Sequence, residues 1–314
     1  MTARFGSRDL RSELSERLRY DLPAVAAPMF LVSGVDLVKA ASQAGIIGAF
    51  PSLNARSPTE LRAWLDDLSE WSDADRNAAV AVNLVTHRTN TRFQDDLTAC
   101  VDHRVPLVIT ALGSPEPALA LVHSYGGLVF ADVNTPAMAR KAAERGADGL
   151  VLVCAGAGGH TGILSPFAFV AAVRKFFDGP LIVAGGISTG AAIRAVGAMD
   201  GDLAYLGTRL LAASESMAVP DYKTMVVQSG FEDILCTDAI TGALANKLRP
   251  SFQRVGIDPD SLESGKKFDL TSLGTSVSKW KDLWSAGHGV GSVLQSETTA
   301  EIIAQLRREY LGAS

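Results

Sequence analysis

The chain of 314 residues is 47% hydrophobic and 20% charged, with 29 glycines, 13 prolines and a formal net charge of −5. That apolar share excludes wholesale disorder, and 29 basic against 34 acidic residues give no electrostatic ground for a nucleic-acid or anionic-membrane partner. Three widely separated cysteines, Cys100, Cys154 and Cys236, form neither a disulfide framework nor a zinc cluster, and no apolar run approaches the ~18 residues of a membrane span.

Residues 1–6 lead into the charged stretch 8–19 without the apolar core of a secretion signal, so a cytoplasmic protein is expected. Eight short apolar runs follow, at 25–29, 45–50, 79–85, 107–112, 127–133, 149–155, 180–184 and 203–206. They are rich in Val, Ile, Leu and Ala and do not alternate with polar residues, which suits parallel strands buried on both faces. Between them, stretches such as 57–70, 135–145 and 188–199 carry helical spacing. Ser57-Pro58, Ser114-Pro115 and Thr135-Pro136 each place a hydroxyl cap before a proline, a helix-start signal. Each strand-plus-helix unit takes about 20–35 residues, the size of a βα repeat. Eight of them predict an α/β fold, a closed (β/α)8 TIM barrel, with an open doubly wound sheet as the competing arrangement.

After Ala213 the pattern changes. Residues 220–254 read as largely helical and 255–275 as polar and weakly periodic. The barrel is therefore assigned to 1–219 and 284–314, and 220–283 to a mostly helical insertion or lid after strand eight. The tail 298–311 reads as a helix closing the outer layer.

Barrel enzymes place their working residues at the carboxyl ends of the strands. The seventh run ends in Gly185-Gly186 before Ser188-Thr189-Gly190, and the eighth in Gly207-Thr208-Arg209. Glycines let a backbone approach an anion, and helix-start N–H groups point at it, so these two turns are a candidate phosphate site. Tight turns without a ligand are the plainer reading. The sixth run ends Cys154-Ala155-Gly156-Ala157-Gly158-Gly159-His160-Thr161-Gly162, where little side-chain bulk surrounds one histidine. His160 is a candidate general base, against a structural histidine bonded to backbone carbonyls. Asn83, ending the third run, could read a ring edge or a chain of hydroxyls, or simply form a turn. Met29, after Ala27-Pro28, has core packing as its ordinary explanation. His87 and His288 lie in loops that could border the same opening, whereas His103 and His123 read as surface residues of outer helices. Cys154 reads as a buried, inert thiol.

Ala27-Pro28-Met29, Asn83, Gly158-Gly159-His160-Thr161-Gly162, Ala184-Gly185-Gly186-Ile187 and Gly207-Thr208-Arg209 resemble, in order and spacing, the nitronate monooxygenase (2-nitropropane dioxygenase-like) flavoproteins. Similarity continues through Glu215-Ser216 to Tyr222-Lys223, 237–242 and 284–291, almost the whole chain. The resemblance implies an FMN-binding barrel in which Gly185, Gly186, Gly207 and Thr208 hold the phosphate. Asn83, Gly158 and Met29 would adjoin the rest of the flavin, and His160 would be the catalytic histidine. It further implies oxidation of alkyl nitronates, and of some nitroalkanes, with molecular oxygen. Flavin-dependent enoyl-thioester and quinone reductases using NAD(P)H share the scaffold and are the alternative, and a non-flavin phosphate-binding barrel is a third. Small-molecule substrates are expected, without a nucleic-acid or membrane partner or a bound metal. A homo-oligomer is compatible with the sequence.

Four positions depart from the family pattern. Val153 and Gly156 replace a glutamine and a glutamate common upstream of the histidine, His288 replaces a glutamine, and Asp132 stands nearest to a lysine found at the end of the fifth strand. These departures imply a retained flavin site with room for altered substrate chemistry.

Overall fold

The computed structural model describes residues 10–70, 79–240, 242–263 and 282–312; the expected polar stretch beyond 263, and with it the end of the insertion, lies outside them. Six strands come first: β1 (Ala24–Ala26), β2 (Ile47–Pro51), β3 (Val80–Val85), β4 (Leu107–Ala111), β5 (Leu128–Val133) and β6 (Gly149–Val153). After the two-residue β7 (Gly159–His160) come β8 (Leu181–Ala184) and β9 (Leu203–Leu206). All of these except β7 close into an eight-stranded parallel barrel, β9 pairing back onto β1. The fold is thus the (β/α)8 barrel, and the open sheet is ruled out.

The strands lack polar alternation because each serves two cores. Val25, Ala49, Ala81, Ile109, Phe130, Val151, Ile182 and Leu203 fill the barrel interior. Their neighbours one residue away, such as Val82, Val108, Val129, Leu152 and Val183, pack under the outer helices. Side chains alternate faces along a strand, so both sets are apolar and the run reads as continuous. Gly149 lies opposite Phe130, and a Cβ there would stand 2.5 Å from the ring, so its missing side chain is the room that the ring occupies.

The outer layer begins with α1 (Leu10–Leu18), α2 (Val35–Gln43), α3 (Pro58–Glu70), α4 (Phe93–Asp102) and α5 (Glu116–Ser124). It continues with α6 (Pro136–Glu144), α7 (Pro166–Arg174) and α8 (Gly190–Ala198). The expected caps form: Ser57 Oγ accepts from Glu60 N at 3.1 Å, Ser114 Oγ from Glu116 N at 3.2 Å and Thr135 Oγ1 from Met138 N at 3.2 Å. Downstream lie α9 (Pro220–Gln228), α10 (Arg249–Arg254) and the terminal α11 (Thr299–Leu311), which packs on α2 and α8. The segment after 220 also contains two strands, β10 (Ile234–Thr237) and β11 (Ala245–Leu248). They form an antiparallel sheet in the order β10-β11-β7, tying this segment to the loop that carries His160.

The amino end of the barrel is locked by two buried carboxylates. Asp148, just before β6, accepts from Val129 N on the preceding strand at 2.8 Å and pairs with His123 Nε2 at 2.8 Å. Asp202, just before β9, accepts from Leu181 N at 2.8 Å and from Arg174 at 2.7 Å. His103 likewise meets Asp66 at 2.8 Å. With side chains only 13% and 20% exposed, His103 and His123 are therefore paired and largely covered rather than free surface residues. Replacing Asp202 with Ala leaves the buried Leu181 N–H without its acceptor and removes the carboxylate from Arg174, which keeps its bonds to the carbonyls of Asp200, Phe177 and Gly179, so urea denaturation should show a loss of about 2 kcal/mol; a loss below about 0.5 kcal/mol would remove this lock from the account.

Candidate functional site

The opposite, carboxyl end of the barrel is an assembled rim. The loop after β6 is folded on itself: Ala155 N donates to Leu164 O at 2.8 Å and Thr161 Oγ1 to Cys154 O at 3.1 Å. Asn246 of β11 adds an Nδ2 bond to Ala157 O at 2.8 Å. Cys154 is buried, and burial pushes its thiol up to about 12, so it is inert at neutral pH.

The turn at 286–291 crosses this loop at very short range. A Cβ on Gly158 would lie 2.8 Å from Gly287 N, and one on Gly287 would lie 2.3 Å from Gly156 O. Two backbones therefore pass with no side chain between them. His288 N closes the contact by donating to Gly156 O at 3.0 Å. The same turn reaches the next two rim loops. Ser292 and Ser188 share a hydroxyl bond of 3.0 Å, and Gly287 N donates to Thr208 Oγ1 at 2.8 Å. Behind it, Trp284 stacks on Tyr222 at 5.0 Å, and the Tyr222 hydroxyl donates to Ser285 O.

Gly158, Gly186 and Thr208 are thus gathered around one turn, while Gly207 faces another element. Positive φ at Gly185 (128°) and Gly186 (68°) bends the chain away from β8, a geometry that side chains resist. The Cβ position of Gly186 is 3.7 Å from the nearest atom, on His288, and that of Gly207 is 3.8 Å from Met29 Sδ and Ala27 Cβ. Among the described residues, none accepts a hydrogen bond from the backbone N–H of Gly186, Gly207 or Thr208. Met29 lies beyond the end of β1 in a turn held by Asn54 Nδ2 to its carbonyl at 2.9 Å and by its own N–H to Ser33 Oγ at 2.9 Å. Asn83 is buried at the inner face of β3, with Nδ2 committed to Ile109 O at 3.1 Å. His87 is partly buried, with Nδ1 bonded to Thr89 Oγ1 at 2.8 Å.

His160 sits opposite Ala245 on β11. Lys247, two residues further along β11, shares its face and is fully buried, with Nζ donating to Leu283 O at 3.0 Å. Burial, and then the Lys247 charge, bring His160 down to about 4, and burial brings Lys247 down to about 7. Lys247 was not anticipated from sequence, because nothing in Ala245-Asn246-Lys247-Leu248 distinguishes it from a solvated strand lysine.

The departures from the family pattern are accounted for in part. Gly156 has φ 89°, and a Cβ there would lie 2.8 Å from His288 Nδ1, so the two replacements are complementary: the ring occupies the space a side chain at 156 would fill. His288 also meets Phe231 edge-on at 5.0 Å. Val153 ends β6 beside Ala184. Asp132 is an inward position of β5, two residues after Phe130, and its Oδ1 is buried without a hydrogen-bond partner.

Fold and rim together define an enzyme of the β/α-barrel class whose working face is the carboxyl end. Residues 53–255, more than half of the chain, match the family model for nitronate monooxygenase, and the chain belongs to that family. It is 28% identical over 230 residues to a nitronate monooxygenase of Paraburkholderia phytofirmans, a match covering 68% of this chain and 63% of that enzyme, less than two thirds of its length. It is 25% identical over 286 residues to the (3aS,4S,5R,7aS)-5-hydroxy-7a-methyl-1-oxo-octahydro-1H-indene-4-carboxyl-CoA dehydrogenase of Rhodococcus jostii, covering 88% and 78% of the two chains. Among solved structures, FabK from Thermotoga maritima superposes with a TM-score of 0.81 at 23% identity, covering 96% of each chain, and shares the fold.

A folded-state value near 4 for His160 means that the unfolded chain binds its extra proton between about 4 and the ordinary 6.5. Its contribution to stability is present above pH 6.5 and lost as pH falls through 4. Side-chain nitrogen NMR should find the His160 imidazole neutral at pH 6 and charged only near pH 4, with the midpoint raised in Lys247→Met. An ordinary midpoint in the native protein would contradict this electrostatic account.

Proposed function

We propose that this chain is an FMN-dependent nitronate monooxygenase, oxidising alkyl nitronates and nitroalkanes with molecular oxygen. The observation that carries the reading is the cradle at Gly186, Gly207 and Thr208. Its N–H groups have no acceptor among the described residues, and the Cβ positions of Gly186 and Gly207 lie in ordinary contact with His288 and with Met29 and Ala27, at 3.7 and 3.8 Å. That arrangement fits a phosphate at the end of a cofactor, where backbone donors at a rim turn meet anionic oxygens. Gly185 shapes the turn, while Met29 and Ala27 wall the Gly207 side. Gly158 and Asn83 would adjoin the remainder of the flavin. Bound FMN supplies the redox chemistry of the reaction.

The protein's own residues handle charge and protons. A neutral His160 can accept the α-proton of a neutral nitroalkane, but at a value near 4 it is a weak base. Its imidazolium is favoured only once an anion lies beside it, and the nitronate left by proton removal is such an anion. A preformed nitronate needs no proton transfer and meets the positive field of Lys247 directly. The electrostatics therefore favour nitronates over nitroalkanes as substrates.

The thioester acted on by the Rhodococcus relative supports a second reading, a flavin enzyme that uses NAD(P)H to reduce enoyl thioesters or quinones. Rapid anaerobic bleaching of bound flavin by NADH would favour it. Oxygen uptake with propionate 3-nitronate, without such bleaching, favours the monooxygenase. A colourless protein that takes up no FMN on reconstitution would sink both. Within the leading reading, His160→Asn should lower kcat/KM for neutral nitroalkanes by about 10²-fold or more, with nitronate turnover changed by less than about tenfold. Equal losses for both substrates would remove His160 as the base.

A further inference from the structure

The inner faces of the barrel strands end in a layer that is not wholly apolar. Following the inward positions outward, Ala81 leads to Asn83 on β3, Phe130 to Asp132 on β5 and Leu203 to Tyr205 on β9. Asn83 spends an amide N–H on Ile109 O, but Asp132 Oδ1 and the Tyr205 hydroxyl are both buried without a hydrogen-bond partner. Two such atoms in one layer are costly in a finished protein core and ordinary where a ligand completes the site. The layer lies on the same end of the barrel as the phosphate cradle, inward of it, where the body of a ligand anchored by its phosphate would rest.

We propose that Asp132 is a proton-linked ring-binding residue: its carboxyl, in the protonated form, pairs with the imide edge of the bound flavin, and the Tyr205 hydroxyl gives a second contact. This assignment rests on the flavin reading above. A neutral carboxyl offers one donor and one acceptor side by side, which matches an adjacent carbonyl and N–H on the ring. Burial raises Asp132 to about 7, and a ring covering it would displace more water in the same direction. No lysine or arginine among the described residues is ion-paired with it. Its register partner on β6 is Val151, and Thr110 of β4 is committed to Phe130 O at 3.0 Å. The titratable group sharing its surroundings is the Tyr205 phenol, itself raised well above its ordinary value by burial and then by Asp132. His160 and Lys247, from the small sheet, act on one another. Where a fixed cation would serve as a permanent donor, this barrel has one whose proton is lost as pH rises.

The test is FMN affinity, read by quenching of flavin fluorescence at pH 6 and pH 8, in the native protein and in Asp132→Asn. The amide keeps a donor and an acceptor at every pH, and titration of the FMN phosphate affects both proteins alike. The ratio of native to variant Kd should therefore rise about tenfold between the two pH values, since the native carboxyl must recover a proton lost above about 7. A flat ratio overturns the proposal while leaving FMN binding intact. Absence of FMN binding by the native protein at either pH would instead overturn the flavin reading, and this assignment with it. If Asp132→Asn does not fold, Asp132→Ser gives the same comparison, with the same rising ratio expected. Tyr205→Phe should weaken binding about threefold to tenfold at both pH values, and unchanged affinity would remove Tyr205 from the contact.

Discussion

Everything at the rim depends on one close approach: the backbone at Gly287 lying against Gly156 and Gly158 with no side chain between them. Glycine is needed on both partners, since a Cβ on Gly158 or Gly287 would stand within 2.8 Å of the other chain. Once the two strands of backbone touch, hydrogen bonds from Gly287 to Thr208 and from His288 to Gly156 fix the loops after β6 and β9 relative to each other. The Ser188–Ser292 bond draws in the loop after β8. The parallel barrel alone would deliver three glycine-rich loops to one end; this contact makes them a single surface.

The architecture divides labour between its two ends. At the amino end, Asp148 and Asp202 each satisfy a backbone N–H of the neighbouring strand, so charge there is spent on closure. At the carboxyl end, the N–H groups of Gly186 and Gly207 have no acceptor among the described residues at the open rim, and beneath them Asp132 Oδ1 and the Tyr205 hydroxyl are buried without partners. Unsatisfied buried polar groups cost stability, and proteins retain them where binding recovers the loss. The small antiparallel sheet adds a covered face on which His160 and Lys247 sit in low dielectric, which is why both lie below their ordinary proton affinities.

Much of this was legible in the amino-acid order. Continuous apolar runs separated by hydroxyl–proline helix starts define βα units, and all eight runs became barrel strands. The glycine turns after β8 and β9 could be placed because their slots in the fold are known once the strands are counted. The small sheet was less legible. Ile234-Leu235-Cys236-Thr237 and Ala245-Asn246-Lys247-Leu248 are four residues each, too short for periodicity to separate strand from helix. Burial of Lys247 comes from tertiary packing, which no local pattern encodes. The coupling of Gly156 to His288 joins positions 132 residues apart and becomes visible only when the chain is folded (288 − 156).

The turn at 286–291 follows every barrel strand in the order of the chain, and so is made after them. Barrel strands from β1 to β9 are complete by Leu206, so a nascent chain can close its sheet while the rim still lacks its keystone. Synthesis is vectorial, and early segments fold ahead of late ones. A growing chain can thus hold a closed sheet before it holds an assembled mouth, so the order of synthesis separates the making of the scaffold from the making of the site.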